Sequence, residues 1–509
     1  MKLTRILAAF MAIVTVLSLA ACAGAGKAPE TQPTVDPQLR DPGLSQEETT
    51  LPTVDRSEDS TEPVDATQPE ETEGEGDHRV EEDEEELQED EEFDPDDLVE
   101  ADDPASSGGN EQTKDDSGDE TGTSAAGTAK PLSWDAINSF PIKNSSMSTS
   151  QLRQLCVDYF RYAKTATWKP SKSINFIRNS KGSKDSMSAG VEYGGLPYIG
   201  LGSGTMYRLL DYLDPATGTV DMADALNISG EISMADMKYF GNQCANGAFS
   251  GWGRVINSVT KTSTANMVER NGFIRLGNYK YKDNLKNWSS NYQTKQICQE
   301  NGTQVMFEAY AKLQPADGMV YYTTAGHVIM ASSSATVVRK GDGTIDGNAS
   351  YVYIIDQAQS WEKYGSTTGG CMIKNSVDAK KTFQELFDRH YLPFTFGEFM
   401  GTDSVQGTSC GFSHEEESIT TADLFSGEVT SNYFISDAYI IITDNGGSQV
   451  YKHAVRGGAA NCFALTLSRT GKHVDSWGTY PTSGSYRVEI QVQLYTGERK
   501  TVYTGSLKV

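Results

Sequence analysis

The chain has 509 residues and a formal charge of −27, with 22% charged and 37% hydrophobic residues. The charge is uneven: Lys27 to Lys130 holds 36 acidic and 6 basic residues, whereas Pro131 to Val509 holds 34 and 35. The larger part is therefore near neutral, which excludes the basic surface that nucleic-acid binding requires, and its roughly 380 residues suffice for two domains.

Lys2 and Arg5 precede an apolar run from Ile6 to Leu19, closed by Leu19-Ala20-Ala21-Cys22. The run is short for a permanent span and ends in the small residues that signal peptidases require. Leu-Ala-Ala-Cys resembles the lipobox of bacterial lipoproteins. The resemblance implies a signal peptide over 1–22, lipid on Cys22 and a chain held at the extracytoplasmic face of a bacterial membrane. No later segment approaches eighteen consecutive apolar residues.

Residues 23–130 read as an acidic tether. Runs such as Glu81-Glu82-Asp83-Glu84-Glu85-Glu86 and a lone aromatic, Phe93, leave too little apolar surface to offset ordering entropy. A random coil of that length spans about 55 Å, and self-repulsion extends it.

From 131 to 415 the pattern is α+β. Ser148 to Ser150 offer N-caps to a helix with Leu152, Leu155, Cys156, Tyr159, Phe160 and Ala163 on one face. Met206 to Met237 reads as an insertion. Gly241 to Gly247 leads into a helical stripe of Ala248, Trp252, Val255, Ile256 and Val259, placing Cys244 in a first turn. Val305–Leu313 and Val377–Tyr391 read as helices. Strand-like runs lie between them at Met319–Tyr322, His327–Met330, Thr336–Val338 and Tyr351–Ile355. After a polar run at 415–421, residues 421–509 show short alternating runs at Ala438–Ile442, Phe463–Leu467, Tyr486–Val492 and Lys500–Tyr503. Turns at Asp444–Gly447 and Pro481–Gly484 separate them, and a small β-sandwich is expected. It resembles the immunoglobulin-like modules of bacterial surface proteins.

Six cysteines follow Cys22, at 156, 244, 298, 371, 410 and 462. Each is expected to be a buried thiol or half of a bridge, since their spacing resembles neither a disulfide framework nor a zinc site. No metal or cofactor is expected. Cys244 stands apart because unpaired N–H groups and the dipole at a helix start favour a thiolate and can hold an oxyanion. His327 begins a strand and the next strand ends in Asp356-Gln357. Cysteine on a helix, then histidine and acid on successive strands, follows the logic of a papain-like site. Strand alternation lets only one of Asp356 and Gln357 face His327.

Several short words reinforce this. Gly195-Leu196-Pro197-Tyr198 resembles the Gly-x-Pro-Tyr of NlpC-type cell-wall cysteine peptidases, and Gln243-Cys244 resembles the Gln-Cys of CHAP amidohydrolases. Leu313-Gln314-Pro315-Ala316-Asp317 followed by Gly326-His327-Val328 resembles the Leu-x-Pro-Gly-Asp…Gly-His-Val passage of both. Asp342-Gly343 and Asp356-Gln357 resemble a CHAP turn and strand end. The family glycine is Ala316 here, and Asp-Cys-Ser-Gly of NlpC-type domains is Gln-Cys-Ala-Asn.

The resemblance implies Cys244 as nucleophile, His327 as general base and acid, Asp356 or Gln357 as the orienting residue, and Tyr198 beside the oxyanion. Gln243 either assists there or serves as a helix-start spacer. The implied function is thiol hydrolysis of an amide bond, with peptidoglycan stem peptides as partner and substrate. The competing expectation is a non-catalytic surface module that binds the wall.

Overall fold

The structure, a computed structural model, describes residues 130–509 except 179–181, 201, 223–230, 233–236, 238, 260–263, 265–266, 269–271, 283–293, 323–325, 359–360, 363–366, 373–376, 415–422 and 469–474. Cys22, the tether and the polar run at 415–421 lie outside the described residues. Among the described residues, no helix is long and apolar enough to cross a membrane.

A short helix α1 (Trp134–Asn138), N-capped by Ser133, precedes α2 (Thr149–Thr165). A capping box starts α2: the Gln151 amide donates to Ser148 Oγ at 3.3 Å, and the Ser148 amide donates to Gln151 Oε1 at 2.8 Å. The predicted stripe is buried, and it serves two cores. Leu152, Leu155, Cys156 and Phe160 enter one, while Tyr159, Tyr162 and Ala163 enter the other. Each such large apolar side chain contributes about 1.5–3 kcal/mol of burial free energy.

The second of these cores covers a mixed sheet. Its strands are β1 (Thr167–Pro170), β4 (Tyr193–Gly194), β5 (Leu213–Asp214), β6 (Thr219–Val220), β12 (Trp361–Glu362) and β13 (Gly370–Met372), in the order β12-β13-β4-β1-β6-β5. A small sheet of β2 (Ile174–Ile177), β3 (Lys184–Met187) and β7 (Glu231–Ile232) lies beside it in sequence. Helix α3 (Met206–Asp211), Val220, Met222, Ile232 and Met237 are buried in the same core. The segment read as an insertion therefore contributes apolar residues to this core.

The other core covers an antiparallel sheet of β8 (Phe273–Arg275), β9 (Gly318–Tyr322), β10 (Gly326–Ala331), β11 (Tyr351–Ile355), β14 (Ala379–Thr382) and β15 (Leu392–Phe396), ordered β14-β11-β10-β9-β15-β8. Helix α4 (Cys244–Trp252) packs against both α2 and β10. Helix α5 (Thr294–Tyr310) is interrupted at Gly302, φ +76°, so its second half begins close to the predicted Val305. The helix expected over Val377–Tyr391 is shorter. Ala379–Thr382 instead pairs with β11, and a Thr382/Glu385 capping box starts α6 (Phe383–Asp388) only afterwards. Thr336–Val338 makes a single bridge, Thr336 to Tyr351, in place of a strand.

The C-terminal strands β16 (Cys410–His414), β17 (Asp423–Thr443), β18 (Gln449–Ser468), β19 (Ser476–Gly478), β20 (Ser485–Leu494) and β21 (Arg499–Lys508) form one hydrogen-bonded sheet. One sheet stands where two packed sheets were expected, because β17 and β18 are long and run through a shift of register between Thr430 and Ile435. β16 borders one edge of β17 before that point and β20 borders the same edge after it. Phe412 of β16 meets Tyr503 of β21 at 5.3 Å between ring centroids, so the sheet coils over its own core. The sheet begins at Cys410, upstream of the boundary drawn at 415–421. It is docked tightly: Phe434 and Tyr495 enter the core of α4. Asp211 at the end of α3 binds Arg456 and Lys452 of β18 at 2.9 and 3.0 Å. Burial alone would raise the Asp211 pKa, but the two cations outweigh it and hold it low.

Candidate active site

Helix α4 begins at Cys244, as its sequence pattern predicts, with Gln243 extended at the N-cap position. Its approach is fixed by backbone bonds. Asn242 donates to Pro197 O at 3.0 Å and accepts from Ile199 N at 3.2 Å, and Gln243 donates to Gly202 O at 3.3 Å. The helix is buried throughout and two glycines let it sit close: a Cβ at Gly251 would come within 2.8 Å of Cys156 O. At its far end, Trp252 Nε1 donates to Ala316 O at 2.8 Å. The first-turn N–H groups lack intrahelical acceptors and lie beside the thiol.

His327 lies on β10 opposite Tyr321 of β9. The β10–β11 register pairs Met330 with Ile355. Continued by one residue, it puts Asp356 opposite Ile329, on the face that also carries His327. His327 Nε2 lies 2.6 Å from Asp356 Oδ1, which leaves Nδ1 as the ring nitrogen available to Cys244, whose charge is near enough to act on the ring. Burial pushes the imidazole pKa down, but Asp356 and Cys244 outweigh it and hold it well above the ordinary value. Cys244, His327 and Asp356 are therefore brought together.

Gln357 is not part of this contact. It points to the opposite side, where Nε2 donates to Leu196 O at 3.3 Å and the side chain packs on Gly247. Tyr198 is carried to the nucleophile loop by a bridge to Asn242, and its amide donates to Met372 Sδ at 2.8 Å.

Three residues at the site carried no sequence signal of their own. The Tyr321 ring stands 6.0 Å from the His327 ring and 5.1 Å from Tyr391. Burial raises the Tyr321 hydroxyl pKa, and its hydroxyl is within charge range of His327, Cys244 and Asp356. Only the β9–β10 pairing reveals Tyr321. Lys164, at the end of α2, is 1% exposed and donates from Nζ to Asn242 Oδ1 at 3.3 Å. Burial lowers its pKa to about 7, against the opposing pull of Cys371 and Asp356.

Other thiols lie away from this site. Cys156, Cys298, Cys371 and Cys410 are free. Burial pushes Cys298 up to about 12 and Cys371 to about 11, and raises Cys156 and Cys410 too. None of these has a histidine partner in the described contacts. Among the described residues, no group of three or more His, Cys, Asp or Glu side chains is placed to hold a metal ion.

Asp317 of the Pro-Ala-Asp segment is a positioning residue. It is fully buried, accepts from the Gln314 amide at 2.8 Å, and pairs with Arg153 Nη1 of α2 at 2.6 Å. Arg153 also donates to Pro315 O at 2.8 Å and lies 4.5 Å over the Phe399 ring. Ala316 adopts φ +68°, the left-handed conformation that a glycine would take without strain.

No protein-family model matches the chain, and no curated protein matches it.

Proposed function

We propose that the chain is a thiol hydrolase of papain-like architecture that cleaves an amide bond. The observation that carries the reading is His327 held between Asp356 and Cys244 at the start of a buried helix. In this mechanism Asp356 fixes the ring through Nε2, so that Nδ1 exchanges a proton with sulfur. The sulfur attacks the carbonyl carbon, and the amides at the start of α4 receive the oxyanion, with Tyr198 and Gln243 at the rim. The imidazolium then protonates the leaving amine as the C–N bond breaks. Water, deprotonated by the same ring, hydrolyses the thioester and restores the thiol.

The lipobox-like N-terminus and the acidic tether support an enzyme held at an outer membrane face with reach into the wall. The NlpC- and CHAP-like words favour peptidoglycan stem peptides as substrate. The test is digestion of purified peptidoglycan by the protein beside Cys244→Ala. New amino termini with the wild type alone are expected, whereas no products from several wall types would overturn the peptidoglycan assignment.

A further inference from the structure

A cavity of about 360 Å³ opens between α1 and the segment after it, the turn that follows α4, and the β20–β21 hairpin. Ile137, Phe140 and Ile142 form an apolar floor, and Arg254, Arg499 and Lys500 line the rest with Glu498. Its size falls in the range of small-molecule sites.

Arg254 has no exposed surface. Its two hydrogen bonds are long, from Nη1 to Tyr207 Oη at 3.3 Å and from Nη2 to Pro141 O at 3.4 Å, and Nε has no partner. Among the described residues no carboxylate is ion-paired with it. A buried guanidinium without a counter-charge is costly. The acid in the cavity wall is committed elsewhere: Glu498 accepts from Thr408 at 2.7 Å and Thr496 at 3.2 Å, and lies 3.5 Å from Lys500.

Among the described residues, Arg499 is the second cation of the cavity without an ion-paired acid. Its Nε donates to Gln493 at 3.0 Å, and its guanidinium lies over the rings of Trp134 and Tyr439 at 5.0 and 4.6 Å. Arg254 and Arg499 both line the cavity. Gly497 lets Arg254 lie against the β20–β21 turn, since a Cβ there would clash with its guanidinium.

We infer that this cavity binds a small organic anion, its carboxylate or phosphate head held by Arg499 in front of the buried, acid-free charge of Arg254 and its apolar portion resting on Ile137, Phe140 and Ile142. Guanidiniums suit both heads because their planar N–H edges match paired oxygens. The site is separate from Cys244 and independent of the proposed hydrolysis.

The full chain is titrated calorimetrically, at constant ionic strength, with hexanoate, hexyl phosphate and the neutral hexanamide. Tryptophan fluorescence, compared between the wild type and Trp134→Phe, gives a local signal. Saturable binding of at least one anion is expected, and whichever binds more tightly identifies the head group. Arg499→Gln should weaken binding roughly tenfold or more, the loss expected for one charge-assisted hydrogen bond. Ile142→Asp, at a partly exposed floor position, should abolish binding without touching an arginine, so the result does not depend on whether Arg254→Met folds. Cys244→Ala should bind as the wild type does. The inference is overturned if neither anion saturates, if hexanamide binds as tightly, or if Arg499→Gln keeps wild-type affinity.

Discussion

Removing the arginine from the Arg153–Asp317 pair tests how the two halves of the site are joined. Arg153 belongs to α2, which packs on the Cys244 helix; Asp317 leads into β9, which pairs with the strand of His327. In Arg153→Met the long apolar side chain fills the stem volume, but Asp317 is left as a buried carboxylate. It keeps the Gln314 amide and Thr395 as donors. Breaking a buried pair from one side costs about 3–5 kcal/mol at neutral pH. The pH response separates this cause from simple loss of packing. Burial raises the Asp317 pKa even with Arg153 only 2.6 Å away, and without the arginine it rises further. A raised acid favours the folded state when protonated, so the Arg153→Met penalty should shrink as pH falls from 7 to 5, by no more than about 1.4 kcal/mol per pH unit. Asp317→Asn strands an arginine that cannot neutralise itself, so its penalty should stay level over the same range. Urea unfolding at both pH values, followed by tryptophan fluorescence, measures all three proteins. A penalty below about 1 kcal/mol at pH 7, or one unchanged between pH 7 and 5, refutes the reasoning.

Ala316→Gly should raise stability by about 0.5–1 kcal/mol, the relief of left-handed strain less the added chain entropy of glycine; chemical denaturation checks it. Asp356→Asn should lower the His327 pKa. Because the raised pKa stabilises the fold below about pH 6.5 and this gain is lost as pH rises through the folded value, the stability gap between wild type and variant should be widest near pH 6 and narrow in alkaline buffer. Iodoacetamide at neutral pH should label Cys244 well before Cys156, Cys298 and Cys371, as peptide mass mapping would report. Equal, slow labelling of every free thiol would favour the non-catalytic alternative. Lys164→Met should stabilise the folded protein at neutral pH. The lowered lysine pKa withdraws stability as pH falls from about 10.5 toward 7, and thermal melting at pH 7 and 10 reads the difference.

Much of the local structure was legible because its causes are local. The Ser148 box, the start of α4 at Cys244 and the C-terminal strands each follow from residues within a few positions of one another. The same locality explains the errors. Val377–Tyr391 has helical periodicity, yet its first residues are needed at the edge of a sheet whose other strands are distant in sequence. Met206–Met237 reads as an insertion from the long Tyr198–Cys244 spacing, and nothing nearby in the chain says which core its apolar residues join.

Cys244 and His327 were found from the chain alone, since a helix start and a strand start each leave a signature around one residue. The partition of charge between an acidic segment and a neutral remainder is likewise a property of sequence. Tertiary structure decided what depends on register and on long-range proximity. It put Asp356, not Gln357, beside the imidazole, set Tyr321 across from His327, and buried Arg254 with no ion-paired acid among the described residues. The reason is physical: a one-residue change of register turns every side chain of a strand to the other face, and that register is set by partners far along the chain.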